Sequence, residues 1–300
     1  MSGEELWQFF CVYGINKGLV YFTVWVIVIV FLSILYQKNR IFSKKDFYCA
    51  VGPFLASKIH KLFLWAMTVV MWAGSINVLE DLFGIHRLIL SFILFFAIIF
   101  LTKGGNKGWI ALSKIIIPLI MVLGIYMFFQ TITTKTYSPP PTSSKKDLLW
   151  GFLLYTGYNF FGAVWGFEGI NKSNNPLTPL GCFLGGLIIG LYGCGTIILG
   201  CLYKNGPDPV TLNVAGQISY QFKAIWAVLL AAGMTTKAIS LTATADLTKK
   251  GRLIYVAFAC ILGNLGFAKI INIIYPLFGS IGLFLLVYTF LIKQIKRQAN

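Results

Sequence analysis

The sequence predicts an all-α, polytopic transmembrane protein. Three observations carry that prediction. Hydrophobic residues make up 57% of the 300-residue chain and charged residues 11%. A soluble domain carries about 25% charged residues, so too few charges exist here to cover a water-facing surface. Mean hydropathy is +0.78, and the apolar residues gather into runs near the roughly 20 residues a helix needs to cross a bilayer. The 26 Phe, 14 Tyr and 8 Trp suit lipid contact and the aromatic belts of membrane interfaces.

The formal charge of +16 would suggest nucleic acid in a soluble protein. Here the basic residues sit between apolar runs, the footprint of topology and not of phosphate binding. The expected partners are the lipid bilayer and a small-molecule solute, with no nucleic acid. Six cysteines (Cys11, Cys49, Cys182, Cys194, Cys201, Cys260) lie mostly in apolar stretches, none in a C-x-x-C pair, beside only two His. That argues against a zinc or redox centre and for small core-filling thiols. No acid–base or nucleophile constellation appears at depth, so an enzyme is not expected. No cofactor is expected beyond a coupling H+ or Na+.

Taken in order, residues 6–13 are apolar but only about half a bilayer long. A signal peptide fits poorly, because Glu4 and Glu5 stand where a positive region belongs and no small-residue cleavage site follows. Full spans follow at 18–36, 62–79, 87–102, 109–131, 149–167, 178–203 and 224–247. The apolar stretch 253–292 is too long for one helix, and Gly263-Asn264-Leu265-Gly266 is a natural turn. It divides near 253–268 and 270–292, giving about nine full spans plus one half-helix. The loop 132–147 carries Pro139-Pro140-Pro141 with Ser and Thr and favours extended polyproline structure. It separates a first half (1–131) from a second (148–293), followed by a tail at 294–300. The loop 204–223 is long enough to hold a short helix or act as a cap.

Orientation follows from Lys and Arg in short loops. If the half-helix runs outward, one side holds Lys38, Arg40, Lys44, Lys45, Lys58, Lys61, Lys103, Lys107, Lys114, Lys172, Lys249, Lys250, Arg252, Lys293, Lys296 and Arg297, sixteen in all. The other side holds eight: Lys17, Arg87, Lys135, Lys145, Lys146, Lys204, Lys223 and Lys269. The bias predicts a multi-pass protein of the bacterial cytoplasmic membrane with its C-terminus in the cytoplasm and loop 132–147 outside.

Inside a membrane, polar residues and broken helices carry the information. Ser2, Gly3, Glu4 and Glu5 precede the apolar Leu6-Trp7-Gln8-Phe9-Phe10. They read either as an anion-attracting helix start at a substrate site or as an ordinary acidic cap with Ser2 three residues before Glu5. Tyr155-Thr156-Gly157-Tyr158-Asn159-Phe160-Phe161-Gly162 sets Asn159 near mid-membrane among glycines that weaken the helix. Either freed backbone groups hold a substrate or ion there, or glycines make a close helix contact with Asn159 bonded across it.

The third candidate is Thr235-Thr236-Lys237-Ala238-Ile239-Ser240. The hydroxyls of Thr235, Thr236 and Ser240 could ligate sodium. Lys237, the one unambiguous charge deep in a span, is expected to face the protein interior, substituting for a bound cation or carrying a coupling proton; the alternative is a snorkelling lysine. The many glycines of 178–203 read as helix packing.

The order of these features resembles the YkvI family of bacterial membrane proteins. Ser2-Gly3-Glu4-Glu5-Leu6-Trp7-Gln8-Phe9-Phe10 is similar to that family's Ala-Ser-Gly-Gln-Glu-(apolar)-x-Gln-Phe-Phe signature in its first helix. Tyr155 with Asn159 resembles its Tyr-x-x-x-Asn in helix six, and Thr235-Thr236 its Thr-Thr in helix eight. Gly266-Phe267 and Tyr275-Pro276-Leu277-Phe278-Gly279-Ser280-Ile281-Gly282 resemble its final Gly-Phe…Tyr-Pro-x-x-Gly-x-x-Gly block.

The resemblance implies a LeuT-like fold of the amino acid–polyamine–organocation superfamily. That fold is a 5+5 inverted repeat with helices one and six broken at a central site. An ion-coupled secondary transporter of a small solute, such as an amino acid, is the implied function. Substrate would meet Ser2, Gly3, Glu5, Tyr155, Asn159 and Gly162, with ion or proton coupling at Thr235, Thr236, Lys237 and Ser240. A permease-like sensor, as in spore-germination receptor subunits, and an inactive truncated transporter are the alternatives. Two departures stand out. Relatives continue upstream through a Gly-rich half-helix, so the first helix here is expected to be truncated, its start codon assigned too late or its gene a degraded copy. Lys237 after the Thr pair is foreign to the pattern and argues against simple sodium coupling.

Overall fold

The computed structural model describes residues 4–39, 44–103, 106–132, 145–171, 178–202, 210–245 and 247–298. Among them there is no strand. The helices in chain order are α1 (Glu4–Phe9), a 3-10 turn (Cys11–Tyr13), α2 (Ile15–Asn39), α3 (Lys44–Val51), α4 (Pro53–Phe83), α5 (Arg87–Lys103), α6 (Asn106–Ile132), α7 (Lys145–Asn171), α8 (Thr178–Leu202), α9 (Val210–Ile218), α10 (Tyr220–Thr244), α11 (Lys249–Gly263) and α12 (Phe267–Gln298). A chain this apolar has no water to satisfy its backbone, and a helix meets that need within one segment.

Among the described residues, six helices are long and apolar enough to cross a membrane: α2, α4, α6, α8, α10 and α12. Helix α5 is apolar but shorter. The all-α, membrane-spanning class expected from composition is therefore what the described residues hold. The expected turn at 263–266 falls between α11 and α12, where Gly266 takes φ 101°, a region open to glycine at little cost. The break is earlier than the spans 253–268 and 270–292 anticipated, so Phe267 already belongs to α12. That helix also runs on through residues 294–298 of the expected tail. The half-length first helix appears as α1 and the 3-10 turn, closed by Gly14 at φ 88°. The long loop at 204–223 carries α9, as its length suggested.

The helices gather into two compact units that do not follow the two halves of the sequence. Unit one holds α5, α6, α9, α10 and α11, with α4 from His60 on and the start of α12 through Asn272. Helix α10 packs on α5, α6 and α9, and the indoles of Trp72 and Trp226 are fully buried. Hydroxyls and amides stitch its helices together. Thr68 and Tyr255 share a hydrogen bond of 3.0 Å, and Trp65 Nε1 donates to the Tyr255 carbonyl at 3.2 Å. Ser75 and Thr235 share one of 3.3 Å. Asn264 Nδ2 donates to Ser91 Oγ at 2.9 Å. Such bonds contribute about 0.6 kcal/mol each between membrane helices. Two ion pairs, Lys223–Asp81 at 2.6 Å and Arg87–Glu80 at 3.2 Å, join neighbouring helices of this unit.

Unit two holds α1 from Leu6 on, α2, α3, the first residues of α4, then α7, α8 and α12 from Ile273. Helix α8 lies on α2 through its glycines. A side chain at Gly186, Gly190 or Gly193 would strike Val30, Val26 or Phe22. The packing reading thus holds for these glycines, whereas Gly181 and Gly185 face open space. Helices α7 and α12 also meet at glycines. A methyl group on Gly157 would overlap the Gly279 carbonyl oxygen, and one on Gly282 the Gly157 carbonyl oxygen.

Candidate functional site

The middle of unit two is aromatic. Tyr155, from α7, is 1% exposed and touches three rings: Phe9 at 5.3 Å, Phe10 at 5.1 Å and Trp25 at 5.0 Å between centroids. Tyr275 of α12 stacks on Tyr158 at 3.9 Å and on Phe9 at 5.6 Å. Phe22 packs edge-on to Phe10 and stacks on Trp25. These separations are those at which aromatic pairs add to simple area burial. The absence of side chains at Gly157, Gly279 and Gly282 brings α12 close enough for Tyr275 to reach α7 and the end of α1.

Phe9 at the end of α1 and the adjoining Phe10 meet the 155–162 stretch through Tyr155, but the segment expected to share a site with that stretch was Ser2–Glu5. Ser2 and Gly3 lie outside the described residues. Glu5 is half-buried near the start of α1. Asn159 and Gly162 are half-buried on α7. The expected weakening of that helix is absent, for α7 continues from Lys145 to Asn171 without a break. Asn159 does not bond across a helix interface. Its Nδ2 donates to the carbonyl of Tyr155, one turn back, at 2.8 Å. An amide can satisfy itself on its own helix in this way, which keeps the helix intact in apolar surroundings.

The cluster contains a buried donor with nothing to bond. The indole N–H of Trp25, a residue 4% exposed, finds no acceptor among the described residues. An unmade hydrogen bond at a buried donor costs about 1–3 kcal/mol. The cluster is built of ring faces, with the Trp25 N–H and the hydroxyls of Tyr155, Tyr158 and Tyr275 as its polar groups. No group of three or more His, Cys, Asp or Glu side chains that could hold a metal occurs among the described residues.

The hydroxyl–lysine segment lies on α10 in unit one. Thr235 bonds Ser75, which also donates to the Ala231 carbonyl at 3.4 Å. Thr236 is buried and donates to the Ala232 carbonyl of its own helix. Ser240 is half-buried. Lys237 is exposed on the surface of its unit, not enclosed in the core as expected. No hydrogen bond or ion pair holds it among the described residues. A lone ammonium has no counter-charge there to offset desolvation.

At 100° per residue, Lys237 lies half a turn around α10 from Val228, whose side chain is 48% exposed. It shares its own side with Ser240 and Thr244. Helix α10 thus has an apolar open face and a polar open face, and the lysine is on the polar one.

Sequence reasoning passed over Trp25 and Ser75. Trp25 sits well inside α2, where a belt residue would not be, and that displacement was the available signal. Ser75 was one hydroxyl inside an apolar run. Its pairing with Thr235, 160 residues away, left no trace in either segment. No protein-family model and no curated protein matches this chain.

Proposed function

We propose that this chain is an ion-coupled secondary transporter of a small solute, an amino acid or a related compound, working by alternating access. The observation that carries this reading is the way the compact units draw on the sequence. Counting α1, α2, α4, α5 and α6 as the five segments of the first half and α7, α8, α10, α11 and α12 as those of the second, unit two takes the first and second of each half. Unit one takes the third and fourth of each. Only the fifth members part, α6 to unit one and most of α12 to unit two. Two halves that distribute corresponding helices alike are what an internal structural repeat produces. In transporters built on inverted repeats, access alternates by movement of one bundle against the other about the substrate.

That pattern supports the LeuT-like 5+5 reading, with about nine full spans and a half-helix, in a bacterial cytoplasmic membrane with the C-terminus inside. Fold alone does not give function, so the sites bear the rest. The aromatic cluster around Tyr155, with its unsatisfied Trp25 N–H, suits an organic solute carrying a carboxylate or carbonyl. Lys237, on the polar face of α10 beside Ser240, replaces a bound cation or carries the coupling proton.

Purified protein in proteoliposomes, offered a panel of amino acids under a proton or sodium gradient, tests the proposal. Uptake that ends when the gradient is collapsed, and that falls on Asn159→Ala, is the expected result. A protein that elutes as a folded monodisperse species and yet takes up nothing under any gradient would sink the transporter reading and favour a receptor subunit.

A further inference from the structure

Two cysteines 190 residues apart meet in unit two. Cys11 opens the 3-10 turn after α1, and Cys201 stands in the last turn of α8. Both are buried, at 1% and 0% exposure. Cys11 Sγ donates to the Ile197 carbonyl at 3.6 Å, and Cys201 Sγ donates back to the Cys11 carbonyl at 3.7 Å. The contact depends on Gly200: a Cβ there would stand 2.8 Å from Cys11 Sγ and 3.7 Å from its Cβ. The bare helix surface at that glycine is what lets the Cys11 side chain come down beside Cys201. Other thiols are placed differently. Cys194 shares a contact with the Thr23 hydroxyl, and Cys260 reaches the Ser91 carbonyl.

The end of α1 and the end of α8 fall on the outer side in the orientation proposed above, and the inference rests on that orientation. Outside the cytoplasm, thiol pairs oxidise and stay oxidised.

We propose that Cys11 and Cys201 are a disulfide pair, joined as the protein is inserted and enclosed once the helices close. The step is thiol–disulfide exchange with an oxidised extracytoplasmic dithiol carrier. One cysteine thiolate attacks the carrier disulfide, and the second attacks the resulting mixed disulfide. One S–S bond forms between Cys11 and Cys201, the carrier leaves as two thiols, and the two protons and two electrons pass to it. Because neither sulfur is exposed in the folded protein, the exchange precedes final packing.

The full-length protein, expressed in a bacterial membrane and denatured directly in an alkylating reagent, tests this by mass. Without reductant, four alkyl groups are expected; after reduction, six. Proteolysis should give one reductant-sensitive peptide pair joining residues 11 and 201. The Cys11→Ser variant should carry five alkyl groups under both conditions. Six groups on the unreduced wild type, or a linked pair involving other cysteines, overturns the proposal. The count requires no uptake, so its failure is separate from failure of the transporter reading, and an inverted orientation is detected independently by impermeant thiol labelling at position 44.

Discussion

Replacing Gly157 with alanine places one methyl group where α7 and α12 have left no room. The added carbon would overlap the Gly279 carbonyl oxygen and stand 2.8 Å from the Leu283 nitrogen and 2.9 Å from Leu283 Cγ. To bring the nitrogen alone to an ordinary contact near 3.4 Å, the helices must part by about 0.6 Å, and the overlap at Gly279 asks for more. Two of the three obstacles are backbone atoms, so no rotamer change relieves them. Overpacking of this kind costs about 1–3 kcal/mol. Rigid backbone obstacles put the cost in the upper part of that range, about 2–3 kcal/mol; alanine recovers about 0.8–1 kcal/mol of helix propensity, leaving a net loss of roughly 1–2 kcal/mol.

At about 2–4 °C per kcal/mol, Gly157→Ala should melt roughly 2–8 °C below wild type. Thermal unfolding in detergent, followed by fluorescence-detected size exclusion, measures it. Gly185 is the internal control, since nothing lies within 4 Å of its would-be Cβ; Gly185→Ala should melt at or above wild type. A Gly157→Ala protein as stable as wild type, or a Gly185→Ala protein that falls equally far, refutes the reasoning.

Lys237→Ala should abolish uptake or make it sodium-dependent; unchanged uptake and ion dependence in proteoliposomes would leave only the snorkelling role. A double-mutant cycle on Ser75→Ala and Thr235→Ala should return a coupling of about 0.6 kcal/mol, read from denaturation in mixed micelles, and a value indistinguishable from zero would show that the 3.3 Å contact contributes nothing. In a cysteine-free background, an impermeant thiol reagent applied to whole cells should label a cysteine placed at 143 and not one at 44; the reverse pattern inverts the topology.

The class of this fold was legible because apolar length and the lack of charge are properties of single segments. The turn at Gly263–Gly266 was legible for the same reason: Gly and Asn mark it locally, whatever packs around it. The grouping of helices was not. Nothing in 62–79 announces that Ser75 faces Thr235, and nothing in α7 announces that Gly157 faces Gly279. Those are facts about pairs of segments, and each segment alone allows several partners. Asn159 shows a further limit. Glycines around a polar residue signalled a weakened helix, but one of them, Gly157, serves a close backbone approach to α12, and α7 runs unbroken. Lys237 was legible as an anomaly, and its place on the open polar face of α10 required the neighbouring helices.

The interleaving of the two units has a consequence for how the protein is made. Each unit takes helices from both halves of the sequence, so neither can close while the ribosome is still on the first half. Thr68 waits for Tyr255 and Ser75 for Thr235, partners 187 and 160 residues downstream. At 5–20 residues per second the delay is on the order of ten to forty seconds, spent in or beside lipid. In that interval both hydroxyls have a local acceptor: Thr68 donates to the Leu64 carbonyl and Ser75 to the Met71 carbonyl, each at 2.9 Å. Serine and threonine suit these positions because they can wait on their own helix without an orphaned polar group, and asparagine or glutamine would hold out a larger amide to whichever helix arrived first.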